Sequence, residues 1–148
     1  MSFEHMKLQN FDVSDSIELL SGDLRWDLHN FAEFDGLELL PGEDAVVMPW
    51  SVPSKPNPWG CRENEFKGMQ LVFTDILFLH IGARDNEMPM TEDGCVARIL
   101  KVDPNIKGDE PYMREILHLD DSFRLVFQFQ SGRIIEIESM TAELVPIT

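Results

Sequence analysis

Residues 123–138 have the sequence FRLVFQFQSGRIIEIE, in which two alternating apolar runs flank a short turn. The alternation predicts a β-hairpin, because every second side chain of a strand lies on the same face of its sheet. A three-residue loop with Gly132 in the left-handed conformation sets Phe127 opposite Ile135. A two-residue turn would set Phe127 opposite Glu136 instead. We therefore predict the three-residue loop, which keeps the apolar side chains on one face.

Residues 68–81, GMQLVFTDILFLHI, form a second β-rich tract that is almost continuously apolar. Met69, Leu71 and Phe73 share one face of the predicted strand. Thr74-Asp75 interrupts the run and predicts either a β-bulge or a tight bend. Beyond this interruption we expect both faces to be covered, as in a strand inside a sandwich.

Shorter segments add further strands around these two tracts. Apolar and polar residues alternate over 24–29, which is typical of a half-buried strand. Turn signals bound residues 37–40, and residues 45–48 are expected to pair back with them. Residues 95–102 form another predicted strand, which Asp103-Pro104 ends.

Two segments are compatible with more than one structure. The apolar spacing over residues 13–20 allows a short helix. Residues 111–119 have apolar side chains at helical spacing behind a proline, yet residues 116–119 also resemble a strand entering a hairpin, and we predict the strand there. Residues 1–148 are predicted to form one mainly antiparallel β domain, a sandwich or strongly curled sheet of about seven to nine strands with at most one or two short helices. The alternative is an α+β fold with a helix at 111–119.

The chain is strongly acidic, with 27 Asp and Glu against 12 Lys and Arg and a net charge of −15. Repulsion from phosphate groups disfavours binding to nucleic acid or to an anionic membrane. The first residues lack a basic segment followed by an apolar core, so we predict a cytoplasmic protein. Cys61 and Cys95 are then expected to be reduced. The acidity keeps the chain soluble, or it attracts a basic partner.

The sequence contains no pattern typical of catalysis or of nucleotide binding. The four histidines are scattered and lack the spacing of a zinc site. The acidic residues lack the EF-hand spacing for calcium. We expect neither a metal nor another cofactor, and the sequence favours a non-enzymatic protein over an enzyme.

Two long connections carry the candidate binding residues. Residues 49–60 are rich in proline, are expected to form a stiff extended loop, and carry Trp50 and Trp59. These rings either close one end of the β core or lie exposed for contact. Residues 83–94 form an acidic loop whose candidate residues are Asp85, Glu87, Glu92 and Asp93.

Three functional hypotheses follow from these features. The first is a non-enzymatic protein-interaction domain that binds a basic partner, by the same physics as small acidic inhibitors and immunity-type proteins. The second is a small-ligand or carbohydrate-binding β module that uses Trp50 and Trp59 as a stacking platform. The third is a homodimer whose apolar loops form the self-interface.

Overall fold

The computed structural model describes residues 6–52, 66–106, 108, 110–116 and 123–148. These residues form eleven strands and three short 3-10 turns. The strands are β1 (Lys7–Leu8), β2 (Asp12–Ser14), β3 (Glu18–Ser21), β4 (Leu24–Asp27), β5 (Glu33–Phe34), β6 (Glu38–Leu40), β7 (Ala45–Ser51), β8 (Gly68–Ile81), β9 (Val96–Val102), β10 (Arg124–Phe129) and β11 (Ile134–Ile147). The 3-10 turns are Pro41–Glu43, Met90–Gly94 and Pro111–Arg114.

The larger of two sheets has the strand order β5-β7-β8-β11-β10-β9, with β6 also paired to β7 and β1 to β11. It curls into a nearly closed, barrel-like body, and β2, β3 and β4 form a separate small sheet. All of these pairs are antiparallel except the parallel pair of β1 and β11. The predicted mainly β fold with a strongly curled sheet is confirmed. There are more strands than expected because four of them have only two or three residues.

The β10–β11 hairpin has the predicted three-residue loop. Phe127 lies opposite Ile135, so their side chains share the core face. The N–H of Phe129 donates to the carbonyl oxygen of Arg133 at 2.9 Å, and the N–H of Gly132 donates back to the oxygen of Phe129 at 3.0 Å. Gly132 has a φ of 85°, which is the left-handed backbone that this loop requires.

Gly132→Ala is expected to lower the free energy of unfolding by about 1–2 kcal/mol, because an L side chain is strained at positive φ. A steric clash does not contribute, since an added Cβ would lie 3.5 Å from its nearest neighbour. Urea unfolding of both proteins measures the change. Gly42→Ala is the matched control, because Gly42 has open space around it and no positive φ. Equal unfolding midpoints for the two variants would contradict the assigned loop.

The core lies on the concave face of the large sheet and includes side chains from both sheets. Its largest fully buried members are Trp26, Trp50, Phe73, Phe127, Phe129, Leu19, Leu28, Met48, Met69, Leu71, Ile99 and Leu125. Leu19, Trp26 and Leu28, from β3, β4 and the turn after it, belong to the same cluster as the residues of the large sheet. The small sheet therefore covers part of the curled sheet rather than standing apart from it.

The long strand β8 contains the predicted irregularity. The register of β8 with β11 shifts opposite Glu138 and Ser139, and Asp75 has a φ of 60°. The strand continues to Ile81, so it contains a bulge and no tight bend. The extra residue of the bulge is Leu77, which lies after the predicted position at Thr74-Asp75. The expectation of two covered faces beyond the bulge was wrong, since Leu77 is 58% exposed. Beyond Thr74, β8 also lacks its pairing with β7.

The sequence was compatible with more than one structure over residues 13–20 and 111–119. Residues 12–21 form the β2–β3 hairpin and not a helix, because Asp15 and Ser16 both have positive φ and turn the chain back. Pro111–Arg114 is a 3-10 turn. The strand predicted over residues 116–119 falls mostly outside the described residues and stays a prediction. Glu115 then makes a single bridge to Val102. Residues 117–122 lie outside the described residues.

The remaining strand predictions agree with the structure. Residues 24–27 form β4. The segments 37–40 and 45–48 pair as β6 and β7, with Glu38 opposite Val47. The strand predicted at 95–102 is β9, which ends directly before Asp103.

Candidate functional site

Trp50 lies in β7 and is 1% exposed. Its ring centroid is 4.9 Å from that of Phe34 and 5.7 Å from that of Phe127. These contacts place the indole inside the core, where it cannot stack on a ligand. Of the two interpretations of this residue, the structure supports the one in which the ring closes the core. The candidate binding role of Trp50 is therefore corrected to a structural one.

Trp59, the second candidate aromatic residue, lies outside the described residues. The stacking platform needed both indoles on one surface. With Trp50 buried, the described residues contribute no tryptophan face to such a platform.

Asp85 and Glu87 are exposed on the loop that follows β8. Oδ1 of Asp85 accepts a hydrogen bond from the N–H of Glu87 at 2.9 Å. The N–H of Asp85 donates to the carbonyl oxygen of Ser131 at 2.7 Å. The acidic loop is thereby held against the tip of the β10–β11 hairpin, with both carboxylates exposed.

Asp93, in the 3-10 turn Met90–Gly94, is partly buried and is fixed by cationic and hydroxyl groups. Nε of Arg84 donates to Oδ1 of Asp93 at 3.0 Å, and Nη2 of Arg84 donates to the carbonyl oxygen of Met88 at 2.7 Å. A hydrogen bond from the Ser131 hydroxyl, supported by the Arg84 guanidinium, lowers the pKa of Asp93 against the effect of burial. Asp93 therefore stabilises the loop as a carboxylate and is less available to a partner than Asp85 or Glu87.

The acidic loop offers no preformed metal site. Within residues 6–52, 66–106, 108, 110–116 and 123–148, no group of three or more His, Cys, Asp or Glu side chains is arranged to hold an ion. Glu92, the remaining candidate acid, is half-buried in the same turn as Asp93. The carboxylates of this loop contribute surface charge and loop hydrogen bonds.

A cleft of about 600 Å³ opens where this loop faces the edge of the large sheet. Residues 34–37 and Leu39 form one wall, and Ile81 at the end of β8 lies on the other. Met90, Asp93 and Arg133 also line it. Leu39, Ile81 and Met90 are all exposed, which is unusual for three neighbouring large apolar side chains.

A second cleft of about 190 Å³ adjoins the first at Leu39, which lines both. Its other lining residues include Leu40 from β6, Asp44 from the turn before β7, and Ile76 and Leu79 from β8. The two clefts together run between β6 and the second half of β8. We call them the β6–β8 groove.

Carboxylates lie along the β6–β8 groove. Asp35 lines the first cleft and Asp44 the second, and Asp75 lies beside Asp44. All three acids are exposed, and we call them the acidic rim. The N–H of Asp75 donates to the carbonyl oxygen of Asp44 at 2.9 Å, which holds this end of the rim together.

Arg133 is the cationic side chain that lines the groove. Its Nε is buried and has no hydrogen-bond acceptor among the described residues. A buried donor left without a partner costs about 1–3 kcal/mol.

A second polar cluster lies on the convex face of the sheet and is structural. Glu136 in β11 accepts hydrogen bonds from Arg114 at 2.8 and 3.0 Å and from Arg124 at 3.0 Å. Arg124 also pairs with Glu138 at 3.0 Å and lies 3.6 Å from the ring centroid of Phe78. Because both oxygens of Glu136 accept hydrogen bonds from guanidinium groups, this carboxylate is not poised as a general base.

Cys95 and His29 lie close together but do not form an activated pair. Sγ of Cys95 is 3.8 Å from Nδ1 of His29, and that nitrogen is 2.7 Å from the carbonyl oxygen of Val96, to which it can only donate. Burial, with the nearby carboxylates of Glu92 and Glu33, raises the pKa of the Cys95 thiol. A raised pKa keeps sulfur in the unreactive thiol form.

Sequence reasoning found the acidic loop but missed the groove beside it. Leu39, Ile81 and Met90 come from three separate segments, and of these only Ile81, in the tract 68–81, was expected to be covered by a neighbouring layer. The available signal was the length of the apolar tract in β8, which exceeds that of β7 by seven residues (14 against 7). A long strand next to a short one must extend past it.

Comparison with known proteins gives no relative from which a role could be transferred: no protein-family model, curated protein or solved structure matches the chain. A search of the described residues for a helix long and apolar enough to cross a bilayer finds none.

Proposed function

We propose that this chain is a non-enzymatic protein-interaction module that binds a basic partner through the β6–β8 groove. The observation that carries the proposal is the exposure of Leu39, Ile81 and Met90 in one groove with carboxylates along it. Apolar side chains provide the contact area of a protein interface, and a polar rim around them is the usual arrangement.

The sign of the charge selects the class of partner. The chain carries a net charge of −15, and the acidic rim concentrates part of it at the groove. A positively charged partner is attracted during its approach, whereas an acidic one is repelled. Small acidic inhibitors and immunity-type proteins use this physics, and the proposed module is of that kind.

The carbohydrate-binding hypothesis is less well supported. It relied on Trp50, whose ring is buried against Phe34 and Phe127. The groove presents aliphatic side chains and carboxylates instead, and these suit a peptide better than the face of a sugar ring.

Selection from a library of random displayed peptides tests the proposal. At about 0.01 M salt, where charges act over about 30 Å, the chain is expected to enrich peptides that combine Lys or Arg with apolar residues. Their affinity should fall about tenfold at physiological ionic strength, where the Debye length is about 8 Å. Enrichment of acidic or uncharged peptides, or affinity that salt leaves unchanged, would contradict a basic partner.

Leu39→Lys should abolish binding of the enriched peptides, because it removes the apolar wall common to both clefts and adds a positive charge. Ile106→Lys is the matched control. It changes the net charge equally and starts from a similar exposure, 42% against 53%, but Ile106 does not line the groove. Equal losses of peptide affinity in the two variants would show that the peptides respond to net charge and do not bind in the groove. Both sites are exposed, so the unfolding free energy should change by about 0.5 kcal/mol or less.

A further inference from the structure

The second half of β8 is paired on one side only. Its partner β11 follows it from Gly68 to Ile81, but β7 ends its pairing at Thr74. In the part of the chain that the structure describes, no strand pairs with Ile76–Ile81 on the side where β7 has ended. This stretch is therefore a sheet edge within an otherwise curled sheet.

The backbone groups that face this edge follow from the antiparallel ladder. The N–H of Gly82 donates to the carbonyl oxygen of Ile134 at 2.7 Å. Because backbone hydrogen bonds in such a ladder alternate between the two sides of a strand, Phe78 and His80 also bond towards β11. The N–H and C=O groups of Leu79 and Ile81 then point towards the open side.

The open side is the β6–β8 groove. Leu79 lines its second cleft and Ile81 its first, and Leu39 of β6 forms the opposite wall of both. β6 itself pairs only with β7 among the described residues. An extended segment in the groove would thus pair with β8 on one side and pack against Leu39 on the other.

The edge also lacks the features that commonly block strand addition. Sheet edges are usually protected by Lys, by Pro or by an inward-pointing charge. The sequence Leu77-Phe-Leu-His-Ile81 contains none of these, and His80 lies on the convex face with its register partner Glu136. Only the bulge before Phe78 disturbs the edge.

We propose that the partner binds as an extended basic and apolar segment that adds a strand to β8 along Leu79–Ile81. This inference rests on the proposed function and specifies its mode. Apolar side chains on alternate residues of the segment pack on Leu39 and Ile81, and basic side chains meet the acidic rim. A second copy of the chain is the less favourable occupant, because two chains of −15 repel each other.

Hydrogen exchange measured by NMR tests the pairing directly. The probe is a synthetic heptapeptide of alternating lysine and valine, added at saturating concentration and low salt. The amides of Leu79 and Ile81 are expected to exchange fast in the free chain and at least about tenfold more slowly with the peptide. The amides of Phe78 and His80, already bonded to β11, should change little and serve as internal controls.

Two N-methylated versions of the peptide separate backbone pairing from side-chain contact. One is methylated on its valines and the other on its lysines, and each change removes donors on only one side of the added strand. One version should lose binding and the other should retain most of it. Binding of the unmethylated peptide without protection of Leu79 and Ile81, or equal binding of both methylated peptides, would overturn strand addition and leave the proposed function standing.

Two further results would refute more than the mode of binding. A glutamate–valine peptide that binds as tightly as the lysine–valine peptide, or failure of both peptides to bind, would overturn the proposed function itself. Protection of Leu79 and Ile81 in concentrated protein without peptide, together with a dimer mass by light scattering, would identify a second copy as the occupant and overturn the basic partner.

Discussion

Trp50→Ala is expected to lower the free energy of unfolding by about 4 kcal/mol. The indole is 1% exposed and packs against Phe34 and Phe127, so its removal leaves a large cavity between β7 and β10. Such a loss is a large share of the total stability of a domain of this size. Guanidinium unfolding followed by circular dichroism measures the change.

Two companion variants make this result specific. Trp50→Phe keeps most of the apolar volume and should cost clearly less than Trp50→Ala. Leu39→Ala removes an exposed side chain and should change stability by about 0.5 kcal/mol or less. If Trp50→Ala unfolded at the same denaturant concentration as the parent chain, the ring would have to lie outside the core, and the stacking hypothesis would regain its basis.

Glu136→Gln is expected to lower the free energy of unfolding by about 3 kcal/mol at neutral pH, because it leaves two partly buried guanidinium groups without their carboxylate. Arg114 and Arg124 keep 18% and 21% of their side-chain surface exposed, which places the cost at the lower end for buried ion pairs. Thermal or urea unfolding at fixed ionic strength measures it. Glu143→Gln, on an exposed position of the same strand, is the charge-matched control and should have little effect.

The same variant should change how stability depends on pH. Burial opposes ionisation of Glu136, but hydrogen bonds from Arg114 and Arg124 outweigh it and lower its pKa below the ordinary 4.5. The stabilisation is therefore present above pH 4.5 and is lost as the pH falls through the lower folded-state pKa. The difference in unfolding free energy between the parent chain and Glu136→Gln should therefore decrease as the pH is lowered. A difference in unfolding free energy that stayed constant down to about pH 3 would contradict stabilisation by the ionised Glu136 carboxylate.

The hairpin was predictable because its determinants are local. The alternation over residues 123–138 and the left-handed Gly132 fix both the strand pairing and the loop length within sixteen residues of sequence. The β6–β7 pair was predictable for the same reason, since Pro41-Gly42 supplies its turn. In both cases a register slip would expose the apolar face, so one pairing is strongly favoured.

Trp50 was assigned to a loop because prolines surround it, and this shows where local rules fail. Pro49 nevertheless lies in β7. The N–H of Val52 donates to the carbonyl oxygen of Lys67. Because hydrogen bonds alternate between the two sides of a strand, the backbone groups of even-numbered residues in β7 face β8, and those of Pro49 face the other side. There it lies between the parts of β7 that pair with β5 and with β6, and the missing N–H removes no ladder hydrogen bond.

The sequence by itself determined the fold class, the register of the central hairpin and the negative charge of the surface, since alternation, turn chemistry and composition act over short distances along the chain. Only the tertiary structure decided that Trp50 is buried, that Leu39, Ile81 and Met90 meet in one groove, and that half of β8 is an open edge. These features depend on where one strand ends relative to its neighbour, and that is set by the packing of segments far apart in the chain.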